Sequence, residues 1–379
     1  MASASNTVSG YLRSQIARGA FPGAQYVIGE GHKIVAEDAL GLAVVEPERI
    51  PVTVDTIYDL ASLTKPLVTS LLVVIYAGRG MIDLSAPVGD YLDEFNEEGN
   101  RLITLTELLT HTSGLPNWKP LYLETKDPSD VPTDIARIRP RSPGSKTAPP
   151  LIYSDLNYIL LGSVLERVTG ERLDRVAERE IFKPLDLRRT MFNPPLEMMR
   201  ETAATEHGQM FEQANALEER AASGEQLEAF PAARAWRKNV IWGEVHDGNA
   251  HFLGGIAGHA GLFSTAREVF KIASQLLPGS KLVTNDHLRL FTENLTPGYE
   301  TARSICCIVA ATKDCSAGPA LSPKGIGHNG FTGTSVWMDP EKRRVFVLLT
   351  NRIHPRVGTI DMKEIRQRFN RLAVESLNQ

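Results

Sequence analysis

The sequence predicts an α/β fold of the α+β type: an antiparallel sheet flanked by helices, built from both chain ends, with an all-helical domain inserted between them. Three observations lead there. Residues 23–45 carry a strand–turn–strand pattern, residues 334–352 carry a second one, and the stretch between them is dominated by helical periodicity with caps and stops. On this reading residues 1–60 and 255–379 form one discontinuous sheet-containing domain, and residues 61–254 form the mostly helical one.

Taken in order, Val8, Tyr11, Leu12 and Ile16 recur at helical spacing, with Asn6 or Thr7 as cap and Gly19 beyond the end. Gly23 to Gly29 and Lys33 to Val45 read as strands joined by the turn residues 29–32. Residues 62–77 predict one apolar helix stopped by Gly78. Thr104-Leu-Thr-Glu107 is a capping box ahead of a short helix that ends at the turn His111 to Pro116. Residues 119–151 are rich in Pro, Asp, Ser and Lys and predict an irregular excursion. Residues 155–168 place Leu156, Ile159, Leu160, Val164 and Val168 on one stripe, with Gly170 past the end. A further helix is expected from Ala266 to Leu277, capped by Ser264 or Thr265, and the last hairpin turns at residues 339–342.

Composition narrows the function classes. Apolar content of 42%, charged content of 23% and a net charge of −4 over 379 residues fit a large globular core. They give no electrostatic reason to expect nucleic acid or an anionic membrane. The N-terminus lacks a signal-peptide pattern, and the apolar run Leu71 to Ala77 is too short to span a bilayer. Three cysteines, Cys306, Cys307 and Cys315, cannot pair completely. A cytoplasmic, reducing location is therefore expected, without membrane insertion, and homodimer formation is left open.

Ser62-Leu-Thr-Lys65 opens the most apolar helix of the chain and places serine and lysine one turn apart on one side. At a helix start the free N–H groups favour an oxyanion and disfavour an ammonium, so Lys65 is expected to be partly neutral. Pro66 fits a first turn. As a motif S-x-x-K is short, and a capped helix with an ordinary lysine fits it equally well. Tyr153-Ser-Asp155 puts a phenol at a second helix start, and Gly327-His-Asn-Gly330 precedes Phe331 and the last hairpin.

In this order, SLTK at 62–65, YSD at 153–155 and HNG at 328–330 resemble the three motifs of class C β-lactamases, D-amino-acid peptidases and family VIII carboxylesterases. The flanks LLTHTSGLP at 108–116, GGIAGHAGLFSTA at 254–266 and GHNGFTGTSVWMDP at 327–340 are similar too, so the resemblance covers nearly the whole chain. It implies a β-lactamase/transpeptidase-like fold, with Ser62 as nucleophile, and with Lys65 and Tyr153 sharing the proton traffic. It further implies an oxyanion hole from the N–H groups of Ser62 and Phe331, and substrate contacts from Asp155, His328, Asn329 and Gly330, with Gly330 leaving room for the acyl group. No metal or cofactor is implied.

Two departures from the family pattern shape the expected substrate, a small ester or amide. His328 and Asn329 stand where the lactamases carry a lysine and a hydroxyl that hold a carboxylate, and Asp155 stands in place of the usual Asn. Both favour a carboxylesterase on short-chain esters over a weak β-lactamase or D-alanyl peptidase. A non-catalytic scaffold is disfavoured by the intact Ser62, Lys65 and Tyr153. The formal G-x-G-x-x-G at 325–330 leads into a strand rather than a helix, and no G-x-S-x-G elbow exists. His246, Asp247, His251 and His259 lie in a Gly-rich loop without metal-site spacing, so loop bracing is expected of them. Residues 208–238 predict a helix with the seam Met210, Ala214, Leu217 and Ala221, followed by Phe230, Pro231 and Trp236. It reads as a peripheral or dimer-contact helix, with a cover over the cleft as the alternative.

Overall fold

A computed structural model describes residues 7–96, 102–140, 151–223 and 236–378. Its centre is a seven-stranded antiparallel sheet in the order β3-β2-β1-β10-β9-β8-β7. The strands are β1 (Gly23–Glu30), β2 (Lys33–Val44), β3 (Ile50–Pro51), β7 (Ile308–Val309), β8 (Ile326–Asn329), β9 (Ser335–Asp339) and β10 (Arg344–Thr350). The two chain ends meet where β1 pairs with β10, Val27 opposite Val347. A second sheet has the order β4-β6-β5, from Tyr58–Asp59, Leu262–Ser264 and Met191–Phe192.

Alternation along the central strands sorts the core into two layers. Val27, Val347, Leu349, Val336 and Met338 face the larger cluster, which includes most of the helical part. Tyr26, Ile28, Phe346, Leu348 and Trp337 face a smaller one, closed by α1 (Val8–Ala17) and a long C-terminal helix, Met362–Leu377. Both faces are covered, which is why these strands read as nearly continuous apolar runs. Gly327 sits opposite Trp337, whose ring fills the space a Cβ would need. This packing, rather than a nucleotide, accounts for that glycine.

The helical elements that position the cleft are α2 (Leu71–Gly78), α3 (Leu105–Thr110), α4 (Asp155–Thr169), α5 (Met210–Ser223) and α6 (Ala266–Ala273). The Thr104–Glu107 capping box forms as read, and α4 stops at Gly170 with φ +68°. The expected single helix from residue 62 is broken into a 3₁₀ turn (Ala61–Leu63), a π segment (Lys65–Ser70) and α2. Pro66 has no N–H for an i→i−4 bond, so the segment widens beside the serine instead of continuing regularly. Ala61–Gly78 is long and apolar enough to cross a membrane, yet 83% of it is buried within the fold.

Within 119–140 the excursion contains the short helices Leu121–Glu124 and Val131–Ala136, while residues 141–150 lie outside the described ones. Helix α4 and the glycine-rich loop 254–261 touch main chain to main chain. A Cβ on Gly258 would lie 2.0 Å from the Tyr158 carbonyl oxygen, and one on Gly162 would lie 3.0 Å from Gly258 N.

Candidate active site

Strand β4 leads through Leu60 to Ala61, whose φ of +47° is unusual for a residue with a side chain. The Asp59 carboxylate accepts from the Ala61 N–H at 2.8 Å and holds this turn. Local strain of this kind aims the next side chain, Ser62, out of the 3₁₀ turn and into a cleft of about 1120 Å³. Lys65 follows on the same side and is fully buried. Its Nζ lies 2.8 Å from Ser62 Oγ, 3.1 Å from the His259 carbonyl oxygen and 2.7 Å from Asp155 Oδ1.

Asp155 stands in the first turn of α4, where the helix dipole favours a carboxylate. Ser154 has extended backbone angles but does not cap α4 with its side chain; its hydroxyl donates to the Pro116 carbonyl at 2.6 Å. The Ser154 N–H donates to His111 Nδ1 at 3.0 Å. His111 itself ends α3 in the left-handed region at φ +62°, so the turn of residues 111–116 locks Tyr153 in place. The Tyr153 ring lies 4.5 Å from His111, 5.8 Å from His328 and 5.0 Å from Lys65 Nζ.

Burial alone would push Lys65 down, but Asp155 first and Tyr153 next outweigh it and hold the ammonium above its ordinary range. The expectation of a partly neutral Lys65 is therefore corrected. That expectation rested on a helix N-terminus that the 3₁₀ and π segments replace, and it underweighted a carboxylate at 2.7 Å. Tyr153 is raised, mainly by burial, and stays a neutral phenol. His328 and His111 are pushed well below the usual histidine range, chiefly by burial and then by nearby cations, so both are neutral.

The candidate substrate contacts separate on inspection. His328, Gly330 and Phe331 line the cleft beside Ser62. Asn329 also borders it, but its amide exchanges hydrogen bonds with Ser316 Oγ at 2.8 and 3.1 Å. Gly330 has a reason other than acyl room: a Cβ there would meet Thr334 Oγ1 at 2.0 Å and the Leu60 carbonyl oxygen at 2.6 Å. The glycine is what lets the third motif pack against the nucleophile turn.

The loop histidines are paired with carboxylates, His246 with Glu206 at 2.9 Å and His259 with Asp247 at 2.8 Å. They brace the cleft floor, and the His246 ring stacks on Phe331 at 5.5 Å. Helix α5 lines the cleft with its inner face. Phe211 lies 4.7 Å from Phe331, and Glu212 is buried in the cleft wall, accepting from the Gly248 N–H at 2.9 Å. The expected seam faces outward instead, with Met210 60% and Leu217 40% exposed. Trp236 packs edge-on against Tyr122 at 5.7 Å, while Phe230 and Pro231 lie outside the described residues.

Sequence reasoning also missed Arg303. This residue is only 5% exposed, lines the cleft, and holds its guanidinium 5.5 Å from the Tyr153 ring. One N–H group donates to the Cys306 carbonyl at 3.0 Å, its Nε has no hydrogen-bond partner, and among the described residues no carboxylate pairs with it. No motif marks the segment 294–310, so nothing local in the sequence points to it.

Fold and cleft together define a serine acyl hydrolase of the penicillin-recognising kind. Residues 8–368 match the family described as Beta-lactamase, and the chain belongs to that family. A protein of Escherichia coli strain K12, whose name proposes a D-alanyl-D-alanine carboxypeptidase, is 29% identical over 380 residues, covering 93% of this chain and 83% of its own. Among solved structures, a class C β-lactamase from Rhodobacter sphaeroides superposes with a TM-score of 0.72 at 19% identity, over 98% of this chain and 99% of the other. The hydrolase EstCE1, described as having promiscuous acyltransferase activity, gives 0.72 at 20% identity over 98% of both chains. The chain is thus an enzyme, a serine hydrolase whose family acts on small ester or amide substrates.

Proposed function

We propose that the chain hydrolyses small peptides or amides that end in a free carboxylate, of the D-alanyl type, through an acyl-enzyme on Ser62. The observation that carries this reading is Arg303, a buried guanidinium in the cleft beside Tyr153 that no carboxylate pairs with among the described residues. A buried cation with no counter-charge beside it is costly, and a ligand carboxylate would relieve that cost. His328 and Asn329 in place of a lysine and a hydroxyl, together with Asp155, favour esters. Arg303 offsets the first of these by bringing a cation to the cleft from another loop. The carboxypeptidase name of the 29%-identical relatives points the same way.

In this reading the Ser62 hydroxyl attacks the carbonyl carbon, the N–H groups of Ser62 and Phe331 receive the oxyanion, and the leaving group departs toward Arg303. Water then repeats the attack on the acyl-enzyme. A second reading, hydrolysis of short-chain esters, is favoured by the neutral His328 and by the apolar rings of Phe211 and Phe331 in the cleft.

One experiment separates them: kcat/KM for a D-alanyl-D-alanine peptide as free acid and as C-terminal amide, in wild type and Arg303→Met. A charge-assisted contact contributes about 1.5–3 kcal/mol, so the free acid should be preferred roughly 10- to 100-fold and Arg303→Met should erase the preference. Equal turnover of acid and amide by wild type, alongside efficient turnover of butyrate esters, leaves the ester reading standing in its place.

A further inference from the structure

We propose that Asp155 takes up a proton from Lys65 during acylation, so that Lys65, an ammonium at rest, becomes the base that deprotonates Ser62. The inference rests on reading Ser62 as the nucleophile and assigns Asp155 a part in the proton path rather than in substrate binding.

The geometry leads there by elimination. Lys65 Nζ donates toward Ser62 Oγ at 2.8 Å and the His259 carbonyl at 3.1 Å, and it meets Asp155 Oδ1 at 2.7 Å. An ammonium has no lone pair, so it cannot accept the serine proton until it has released one of its own. A main-chain carbonyl cannot hold that proton, and Tyr153 and Ser62 carry protons already. The Asp155 carboxylate is the remaining contact that can.

Burial lowers the cost of the transfer. Lys65 is fully enclosed and the Asp155 side chain is 18% exposed, on the cleft side. A low-dielectric site penalises both charges of an ion pair, which narrows the gap to the neutral amine–carboxylic acid pair. A substrate lying over Asp155 would exclude the remaining water and narrow it further.

The step balances. One Lys65 N–H bond breaks as an Asp155 O–H bond forms. The Ser62 O–H bond then breaks toward the Lys65 amine while Oγ bonds to the carbonyl carbon, whose π electrons move to the oxyanion. Collapse of the oxyanion expels the leaving group, which takes its proton from Lys65. Asp155 finally returns its proton to Lys65, restoring the ion pair.

Other groups face this pair. Tyr153 and Tyr158 are phenols raised by burial, and His111 and His328 are held neutral. Cys306 is pushed up to about 11 by burial. Asp247, paired with His259, is held ionised despite its burial, and Arg303 is a permanent cation. Glu212, pushed up to about 7 by burial, titrates on the opposite wall in every variant compared.

The test is the pH dependence of the acylation burst with p-nitrophenyl acetate, measured in wild type, Asp155→Asn, Asp155→Glu and Ser62→Ala. With Asp155 present, amine and ammonium forms of Lys65 interconvert inside a pair that holds one proton, so the wild-type burst rate should be flat between pH 7.5 and 9.5. In Asp155→Asn, Lys65 must lose its proton to solvent. The burst rate should then fall roughly 100-fold at pH 7.5 and recover about tenfold per pH unit. Asp155→Glu should restore the plateau. A depressed but flat profile in Asp155→Asn, with no burst in Ser62→Ala, would overturn this step alone. A burst surviving in Ser62→Ala would overturn the nucleophile and this step with it. If Asp155→Asn does not fold, the wild type decides: a tenfold rise per unit between pH 7.5 and 9.5 sinks the proposal.

Discussion

Helices α4 and α5 wall the same cleft and obey opposite rules. In α4 the apolar stripe Leu156, Ile159, Leu160 and Val164 is buried, and the polar end, Asp155, faces Lys65 and the cleft. In α5 the apolar seam faces solvent, and Phe211, Glu212 and Asn215 turn inward. The difference is what each helix packs against. One meets a dry core, where burial of apolar area decides orientation. The other meets a polar cavity, where a carboxylate satisfied by the Gly248 N–H and the Gln209 amide is the better inward group. A hydrophobic pattern predicts the inward face only when the inside is hydrophobic.

The comparison can be attacked first at the inner wall. Ser62→Ala should remove acylation by at least about a thousandfold while the melting temperature stays close to wild type, and a fluorophosphonate adduct should map to Ser62 by peptide mass. A persistent adduct elsewhere, on Ser113 for instance, would move the reacting centre away from α4. Next comes the stripe itself. Leu160 is fully buried, and Leu160→Ala should cost about 2–5 kcal/mol in a denaturant titration. A loss below 1 kcal/mol would mean that α4 is not the core helix described.

The outer wall should respond to pH instead. Burial first, and Asp247 second, push Glu212 up to about 7, above its ordinary carboxylate value. The folded protein therefore holds this proton more tightly than the unfolded chain, so stability falls as pH rises from the ordinary carboxylate range toward 7, and is level above that. The loss is on the order of 1–3 kcal/mol, and Glu212→Gln should abolish that part of the pH dependence of thermal unfolding. An unchanged slope would place Glu212 in water. The smallest expected effect sharpens the contrast: Met210→Gln with Leu217→Gln on the exposed seam should alter stability by less than about 0.5 kcal/mol. A larger loss would show that the seam is covered.

Much of this was legible because it is local. The capping box at Thr104, the stop at Gly170, the N-terminal helix and both hairpins are written in residues a few positions apart. Ser62, Lys65, Tyr153, Asp155 and His328 were readable as motifs, and the fold gathers them around one cleft. The C-terminal helix was legible in principle, since Asp361 caps it and Ile365, Phe369 and Leu372 recur at helical spacing. The β4-β6-β5 sheet was not, because it is made of two- and three-residue strands from three widely separated parts of the chain, and so short a strand has no period. Arg303 and the protonated state of Lys65 depend on which carboxylates are near, a tertiary property. The ester preference drawn from positions 328, 329 and 155 weighed only the motifs, and Arg303, which the fold brings to the cleft from outside any motif, was not part of it.

The contact between Gly162 and Gly258 has a mechanical consequence. Through it the loop that presents the His259 carbonyl to Lys65 rests directly on the backbone of the helix that presents Asp155. No side chain lies between the two at this point, so no rotamer can act as a spring. The spacing of Lys65 between its two acceptors is set by main-chain thickness, as a machinist sets a gap with a shim. A methyl group at position 258 would open that gap, while Phe211 and Arg303, mounted elsewhere, could be exchanged for other side chains without disturbing it. The fold thereby separates the spacing around Lys65 from the side chains that line the cleft wall.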